Sequence, residues 1–486
     1  MLKIERGSTR AIIHVNPFDA WAPTVRNITH GKLTDYEFDH RRRRMIPTKK
    51  YVWFDTSANQ LIIPINGLPM LLDALDNYGC EYEVTDEKLI VPRKIHLKMM
   101  KGFKPRSEEQ ETVINYLSND KPFRKGLATA TGSGKTVSTI ASIVKYGYAA
   151  MIVVSGLHDQ WYRQVFAFTN AKPEDVYVIQ GCNSLAKLLE SDLKPAIIIF
   201  SLETLRLYSN YAENYRDFPK YKTFIKHYGI GFKVFDEVHM NFHADTQIDL
   251  RSNIINNVYL TATFNSSNPS TRRIFELIYP ESMRFGGKNK KKYIDVYCYT
   301  YFGDVAERKV VRMRGYMHAK YEMQLLAKEF KVQRFFDTVI GPIVMSHYVH
   351  KKNPGEKLLV FFSTIPMIEY ATKWFKQHFS QYKVASFTAG DPDSVHQDNE
   401  IIISTPKKCG TGCDIKKLRI VLNTVSLRSP VLIEQLRGRL RELKDDVVPE
   451  YIELCDMNLN IHRFHTAERR KAHEENAASY KVFQLP

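Results

Sequence analysis

The sequence predicts an α/β protein of two consecutive lobes, each a parallel sheet wrapped by helices, preceded by a small α+β domain. Three observations carry that prediction. Short uninterrupted apolar runs recur in two sets, alternating with helical stretches; a glycine-rich turn opens a helix at the start of the first set; and the first hundred residues show shorter, mixed elements instead.

Residues 1–100 give strand patterns at 11–15, 51–54, 60–64 and 81–84, with one amphipathic helix near Leu68 to Tyr78. Residues 101–287 form the first lobe, with strands at 149–154, 196–200, 234–235 and 258–260. These runs are apolar throughout, as expected of strands buried on both faces of a parallel sheet. Gly286-Gly287 and the lysines from Lys288 to Lys292 read as a linker. The second lobe, residues 288–455, begins with a long helical stretch and then gives strands at 357–362, 401–404, 420–422 and 451–454. Residues 456–486 read as a charged helical tail, Thr466 to Glu475, with no chemistry assigned to it.

With 486 residues and 44% hydrophobic content, the chain has room for roughly three domains with ordinary cores. No long uncharged apolar run is present, which argues against a membrane span. Met1 to Arg6 lacks the apolar core of a leader, and the six cysteines have no framework spacing, so a reducing, cytoplasmic compartment is expected. Cys409 and Cys413 lack a second pair for zinc. His239 and His243 sit four apart without the intervening glutamate of a zinc protease. The net charge of +17 is clustered at Arg41, Arg42, Arg43 and Arg44, at Lys49-Lys50, at the linker lysines and at Arg469-Arg470-Lys471. Such clustering favours a polyanion, with nucleic acid the economical partner of a chain expected to be monomeric.

The chemistry concentrates in two strings. Ala130-Thr131-Gly132-Ser133-Gly134-Lys135-Thr136 follows an apolar approach and opens a helix, and about one hundred residues later Asp236-Glu237-Val-His239 closes an apolar strand. Glycines let backbone N–H groups curl around the β- and γ-phosphates of ATP, Lys135 adds a point charge, and Thr136 offers its hydroxyl to Mg²⁺. Asp236 would hold the same Mg²⁺ through its water shell, and Glu237 would orient or deprotonate the attacking water. Thr129 stands where the full phosphate-loop pattern has glycine. In the second lobe, Gln435, Arg437, Gly438, Arg439 and Arg441 form a segment whose arginines suit neutralisation of a γ-phosphoryl group.

In this order the motifs resemble those of the superfamily 2 helicases and translocases of the DExH type, over roughly residues 101–455. The resemblance implies two tandem RecA-like lobes sharing one ATP site. It implies adenine reading by Arg106 and Gln110, phosphate binding from Thr131 to Thr136, and ribose contact by Asp414. Thr261 and Thr263 would couple hydrolysis to lobe movement, and Ser155, Thr204, Thr364, Ser404 and Thr405 would grip the nucleic-acid backbone. Gln435, Arg439 and Arg441 would complete catalysis. The family spaces its two arginines three apart, whereas Arg439 and Arg441 are two apart, with Glu442 in the usual place. The motif at Ser155 also lacks the common Pro-Thr. The N-terminal strings, Phe38 to Arg44 among them, resemble the DNA-binding domain of UvsW-type branch-migration helicases of tailed phages. That resemblance implies junction migration, fork regression and strand displacement in recombination and repair, in the host cytoplasm. An RNA-directed helicase or transcript-release factor would use the same motor, and an ATP-gated DNA clamp would use it without separating strands. Trp53, Tyr51 and Phe54 are candidate wedges, with core packing the more ordinary use of a strand's inward side.

Overall fold

The computed structural model describes the chain except residues 16–21, 40–41, 56–57, 129–133, 157, 212–217, 262–263, 265–268, 286–291, 313–314, 352, 393, 410–414, 429, 442 and 444–446. Among the site residues expected from sequence, Arg41, Thr131, Gly132, Ser133, Thr263 and Asp414 lie outside the described residues, as does most of the linker. Two compact units result, one of residues 1–129 and 133–287 and one built from residue 288 onward.

The first unit opens with a five-stranded mixed sheet. Its strands are β1 (Leu2–Arg6), β2 (Arg10–His14), β5 (Trp53–Asp55), β6 (Gln60–Pro64) and β7 (Tyr82–Asp86), in the order β5-β6-β2-β1-β7. Between β2 and β5 a separate two-stranded hairpin forms from β3 (Thr34–Asp39) and β4 (Arg44–Lys50). Helices Ala22–Lys32 and Leu68–Asn77 complete the module, the second turning Leu68, Leu71 and Leu75 inward. Tyr51, expected in a strand, precedes β5 and is fully buried.

The sheet that follows consists of β8 (Arg124–Ala128), β9 (Ala150–Val154), β10 (Val176–Ile179), β11 (Ile197–Ser201), β12 (Phe232–Phe235), β13 (Asn256–Thr261) and β14 (Arg284–Phe285). Its order is β10-β11-β9-β12-β13-β8-β14, and every pairing is parallel. The N-terminal module is seated on this lobe. Leu2, Ile13 and Leu71 share a continuous apolar cluster with Phe242, Tyr259 and Tyr279, so neither part covers its apolar surface alone. The turn between β1 and β2 grips the far end of helix Val238–Asp249. Thr9 donates to the carbonyls of Asp249 and Ser252, and the buried Arg10, paired with Glu87, donates to the Leu250 carbonyl. Beneath the sheet Lys233 pairs with Asp249, which also accepts from Tyr259 at 2.5 Å.

The second unit carries β15 (Asp295–Tyr301), a short hairpin of β16 (Val311–Arg312) and β17 (Gly315–Tyr316), then β18 (Lys357–Phe361), β19 (Val384–Phe387), β20 (Ile401–Ser404), β21 (Leu418–Asn423), β22 (Glu450–Asp456) and β23 (Ser479–Gln484). Seven of these form a second all-parallel sheet in the order β19-β20-β18-β21-β22-β15-β23. The segment read as a charged tail therefore supplies helix Asn460–Asn476 and the edge strand β23. Arg469, read as part of a basic cluster, is buried. Its Nε donates to Glu453 on β22 at 2.5 Å, and the other Glu453 oxygen accepts from Tyr480 at 3.1 Å. Arg470 and Lys471 remain on the surface, paired with Glu474 and Glu468. No helix among the described residues is long and apolar enough to cross a membrane.

Candidate nucleotide site and nucleic-acid contacts

Lys135 is the first residue of helix Lys135–Tyr146, which packs behind β8 with Ile140 and Ile143 turned inward. Its cap, Gly134, has φ +90°, a left-handed conformation that glycine adopts without strain. Close approach gives a second reason for glycine. A Cβ there would collide with the Arg106 guanidinium and lie 3.0 Å from Gln110 Nε2. Arg106 and Gln110 thus line the helix entrance. Gln110 is held at both ends, accepting from the Arg106 N–H at 2.7 Å and donating to Ser138 at 3.2 Å.

Strand β12 delivers the acids to the same entrance. The Asp236 N–H still pairs with Val153 of β9, and its carboxylate accepts from Trp161 Nε1 at 2.9 Å. Burial and the neighbouring Glu237 charge push the Asp236 carboxyl up to about 6, against the pull of the Trp161 bond and of Lys135. Glu237 caps the next helix with φ +55° and ψ +49°, left-handed for a residue that has a Cβ. That turn aims its side chain back at the phosphate-loop helix, with Oε1 3.9 Å from Lys135 Nζ. Strain of this kind, of order 1–3 kcal/mol, persists where packing enforces it and clusters at functional sites.

Two polar atoms here are buried without a hydrogen-bond partner, Lys135 Nζ and Glu237 Oε2. A cation and a carboxylate oxygen left bare at a helix N-terminus match a phosphate group and a water or metal-bound water. Half-buried Thr136 stands in the same first turn. His239 Nδ1 lies 3.3 Å from Glu237 Oε2 and makes a 2.7 Å hydrogen bond with Thr261 Oγ1 at the end of β13. The four expected residues Lys135, Asp236, Glu237 and Thr261 are therefore brought together. Trp161 is an addition. Its signal was faint, an aromatic in the first turn after β9, and its partner is 75 residues away.

The expected backbone grips divide. Ser155 is exposed after β9, and Thr405 is half-buried, capping Lys408 at 3.1 Å. Three others have hydroxyls engaged within the chain. Thr204 accepts from the Gly181 N–H at 2.8 Å, and Ser404 donates to the Phe387 carbonyl at 2.6 Å. Thr364 donates to Glu322 at 2.6 Å while accepting from the Met367 N–H as a helix cap. Glu322 also takes the Ser363 and Thr364 N–H groups, and burial pushes its carboxyl up to about 7 despite those bonds. In helix Pro430–Arg437 Gln435 is buried, and Arg437 turns inward toward His473 and the Ala472 carbonyl. Arg439 is buried in the turn after that helix, whereas Arg441 is half-buried. Arg42, Arg43 and Arg44 are exposed at the hairpin tip, Arg42 lying 3.7 Å from Asp39.

No family model and no curated protein sequence matches the chain. Among solved structures, S. cerevisiae Dbp5 bound to RNA and ADP BeF3 is 14% identical over 79% of this chain and 91% of that one, with a TM-score of 0.53. The T4 UvsW structure is 13% identical over 99% of each chain, at a TM-score of 0.37. The likeness to Dbp5 is one of fold. Both seven-stranded parallel sheets are RecA-like lobes in tandem, as the resemblance to superfamily 2 helicases implied.

Proposed function

We propose that the chain is an ATP-dependent DNA helicase or translocase of the DExH type that remodels branched DNA. The observation that carries this reading is Lys135 facing Glu237 across 3.9 Å at a helix N-terminus beside half-buried Asp236, with Lys135 Nζ and Glu237 Oε2 both buried and without a hydrogen bond. Lys135 and the backbone from Thr131 to Gly134 bind the phosphates, Arg106 and Gln110 face the base, and Asp414 the ribose. Thr136 and Asp236 fit Mg²⁺, which when bound neutralises charge on the phosphate oxygens. Glu237 orients the attacking water and accepts its proton, and its turned-back backbone holds it there. Gln435, Arg439 and Arg441 of the second lobe offset charge on the departing phosphoryl group. The His239–Thr261 bond links the acid turn to the Thr261–Thr263 segment, a route for coupling hydrolysis to movement.

Ser155, Thr204, Thr364, Ser404 and Thr405 mark the segments that hold the nucleic-acid backbone. Three of those hydroxyls are already bonded within the chain, which leaves exposed Ser155 the most available to phosphate, and such a backbone grip is blind to sequence. Arg41 to Arg44 hold duplex phosphates outside the motor. Migration of four-way junctions, fork regression and strand displacement are then one activity on different substrates.

The test is ATP-dependent product formation on a mobile four-way DNA junction, with a tailed DNA duplex and the matching RNA duplex alongside. Resolution of the junction, lost with Lys135→Ala, is expected. Greater activity on the RNA duplex would move the reading to an RNA helicase, a reading favoured by the RNA in the Dbp5 complex. DNA-stimulated hydrolysis with every strand left paired would make the chain a clamp or remodeller.

A further inference from the structure

We propose that Asn241 and Asp245 are positioning residues for Glu237, forming a hinge in helix Val238–Asp249 whose closing, on DNA binding to the N-terminal module, raises the rate of ATP hydrolysis. The proposal rests on the helicase reading and concerns how the module reaches the reaction.

Helix Val238–Asp249 is two half-helices. At Asn241 the backbone leaves helical geometry, with φ −121° and ψ 24°. Ahead of the break lies the reaction end. Glu237 caps the first turn 3.9 Å from Lys135 Nζ, and His239 bonds Thr261 at 2.7 Å. Beyond the break the helix is held by the N-terminal module. The Lys50 carbonyl, at the end of β4, accepts from His243 Nε2 at 2.9 Å and from Gln247 Nε2 at 2.7 Å. That strand belongs to the hairpin whose tip carries exposed Arg42, Arg43 and Arg44, so phosphates bound there pull on the helix through main chain.

The last turn does not follow such a pull. Asp249 is paired with Lys233 beneath the sheet and accepts from Tyr259 at 2.5 Å, while Thr9 and Arg10 hold the carbonyls of Asp249 and Leu250. With that end fixed, displacement at His243 and Gln247 is taken up at Asn241.

The break leaves two groups unsatisfied. Asn241 Nδ2 and Asp245 Oδ2 are both buried with no hydrogen-bond partner. One is a donor and the other an acceptor, four residues apart, the spacing at which side chains meet on an unbroken helix. Leaving such atoms unpaired in the interior is costly, and closing the break would satisfy both at once. Burial and the nearby Asp249 push the Asp245 carboxyl well up, as expected of an acid that lacks a partner. A second arrangement of the helix is therefore within reach, and the Lys50 grip and the Glu237 turn bias the same equilibrium.

The test reads steady-state ATP hydrolysis by the full chain, with and without a blunt DNA duplex, and hydrogen exchange across residues 238–249. The duplex should stimulate the wild type, with the amides from Asn241 to Asp245 gaining protection. Asp245→Ala removes the acceptor and should lower the stimulated kcat by about fivefold, with KM for ATP changed by less than about twofold and the gain in protection lost. Asp245→Asn keeps an acceptor and should keep the stimulation. His243→Phe with Gln247→Ala frees the Lys50 carbonyl while keeping a ring against Tyr51, and should show the same loss without disturbing the buried acid. Full stimulation of Asp245→Ala or of the His243–Gln247 variant, or unchanged exchange in the wild type, overturns the hinge and leaves the motor reading intact. So does a wild type that hydrolyses ATP but is not stimulated by the duplex. A wild-type chain that hydrolyses no ATP overturns the motor reading and the hinge with it.

Discussion

Each lobe buries a carboxylate at its sheet, and the two are treated in opposite ways. Asp236, at the end of β12, sits among groups that do not satisfy one another, and its carboxyl is pushed up to about 6 by burial and by Glu237. Glu453, in the middle of β22, is at least as deeply buried, yet Arg469 and His473 outweigh that burial and hold it down at about 2. Burial alone does not set the sign; the partners do. The comparison separates a site that awaits a ligand from an ion pair that completes a fold.

Lys135→Ala would act on the awaiting site with the largest effect, a loss of hydrolysis of about 10²-fold or more in a steady-state phosphate-release assay. Folding should be little changed, because Lys135 Nζ makes no hydrogen bond and its ion pair with Glu237, at 3.9 Å, is a loose one. Arg469→Ala acts on the completed pair and should cost about 3–5 kcal/mol in denaturant unfolding of the second lobe, since Glu453 would be left charged in the interior. Asp236→Asn should do the reverse, raising stability by about 1–2 kcal/mol at pH 8 while abolishing hydrolysis, because it removes a charge the fold disfavours and keeps an acceptor for Trp161.

The pH dependence sharpens the contrast. A carboxyl with a raised folded pKa is destabilising above that pKa, so the Asp236 penalty should fade as pH drops through about 6, and Asp236→Asn should flatten that segment of the curve. The Glu453 contribution has the opposite sign. It is fully present above pH 4.5 and lost as pH falls toward about 2. The smallest expected effect lies outside both lobes. Replacing Arg42, Arg43 and Arg44 by glutamine should lower the slope of log affinity against log salt for duplex DNA by about 2–3, with basal hydrolysis retained.

What the sequence disclosed follows from where interactions are local. The apolar runs marked β9, β11, β18, β20 and β22 because strands buried on both faces need little else. β15 and β23 escaped because their apolar residues alternate with tyrosine, threonine and lysine, and pairing across the sheet decides their fate. Arg469 read as surface charge because its partner lies sixteen residues upstream on a different element. At the nucleotide site, the order of motifs sufficed to join Lys135 with Asp236 and Glu237. It did not reveal Trp161 on Asp236, or that the Thr204, Thr364 and Ser404 hydroxyls serve internal bonds, since those are facts of packing.

The position of β15 bears on how the protein is made. This strand is the first of its sheet to leave the ribosome, yet it lies between β22 and β23, the last two, and Asp295 meets Ser479 across 184 residues. The first unit can close while synthesis continues. The second must hold β15 open on both edges until β22 is made and on one edge until β23 follows, so a nascent chain stalled before residue 479 exposes a template for wrong pairing that chaperones would have to shield.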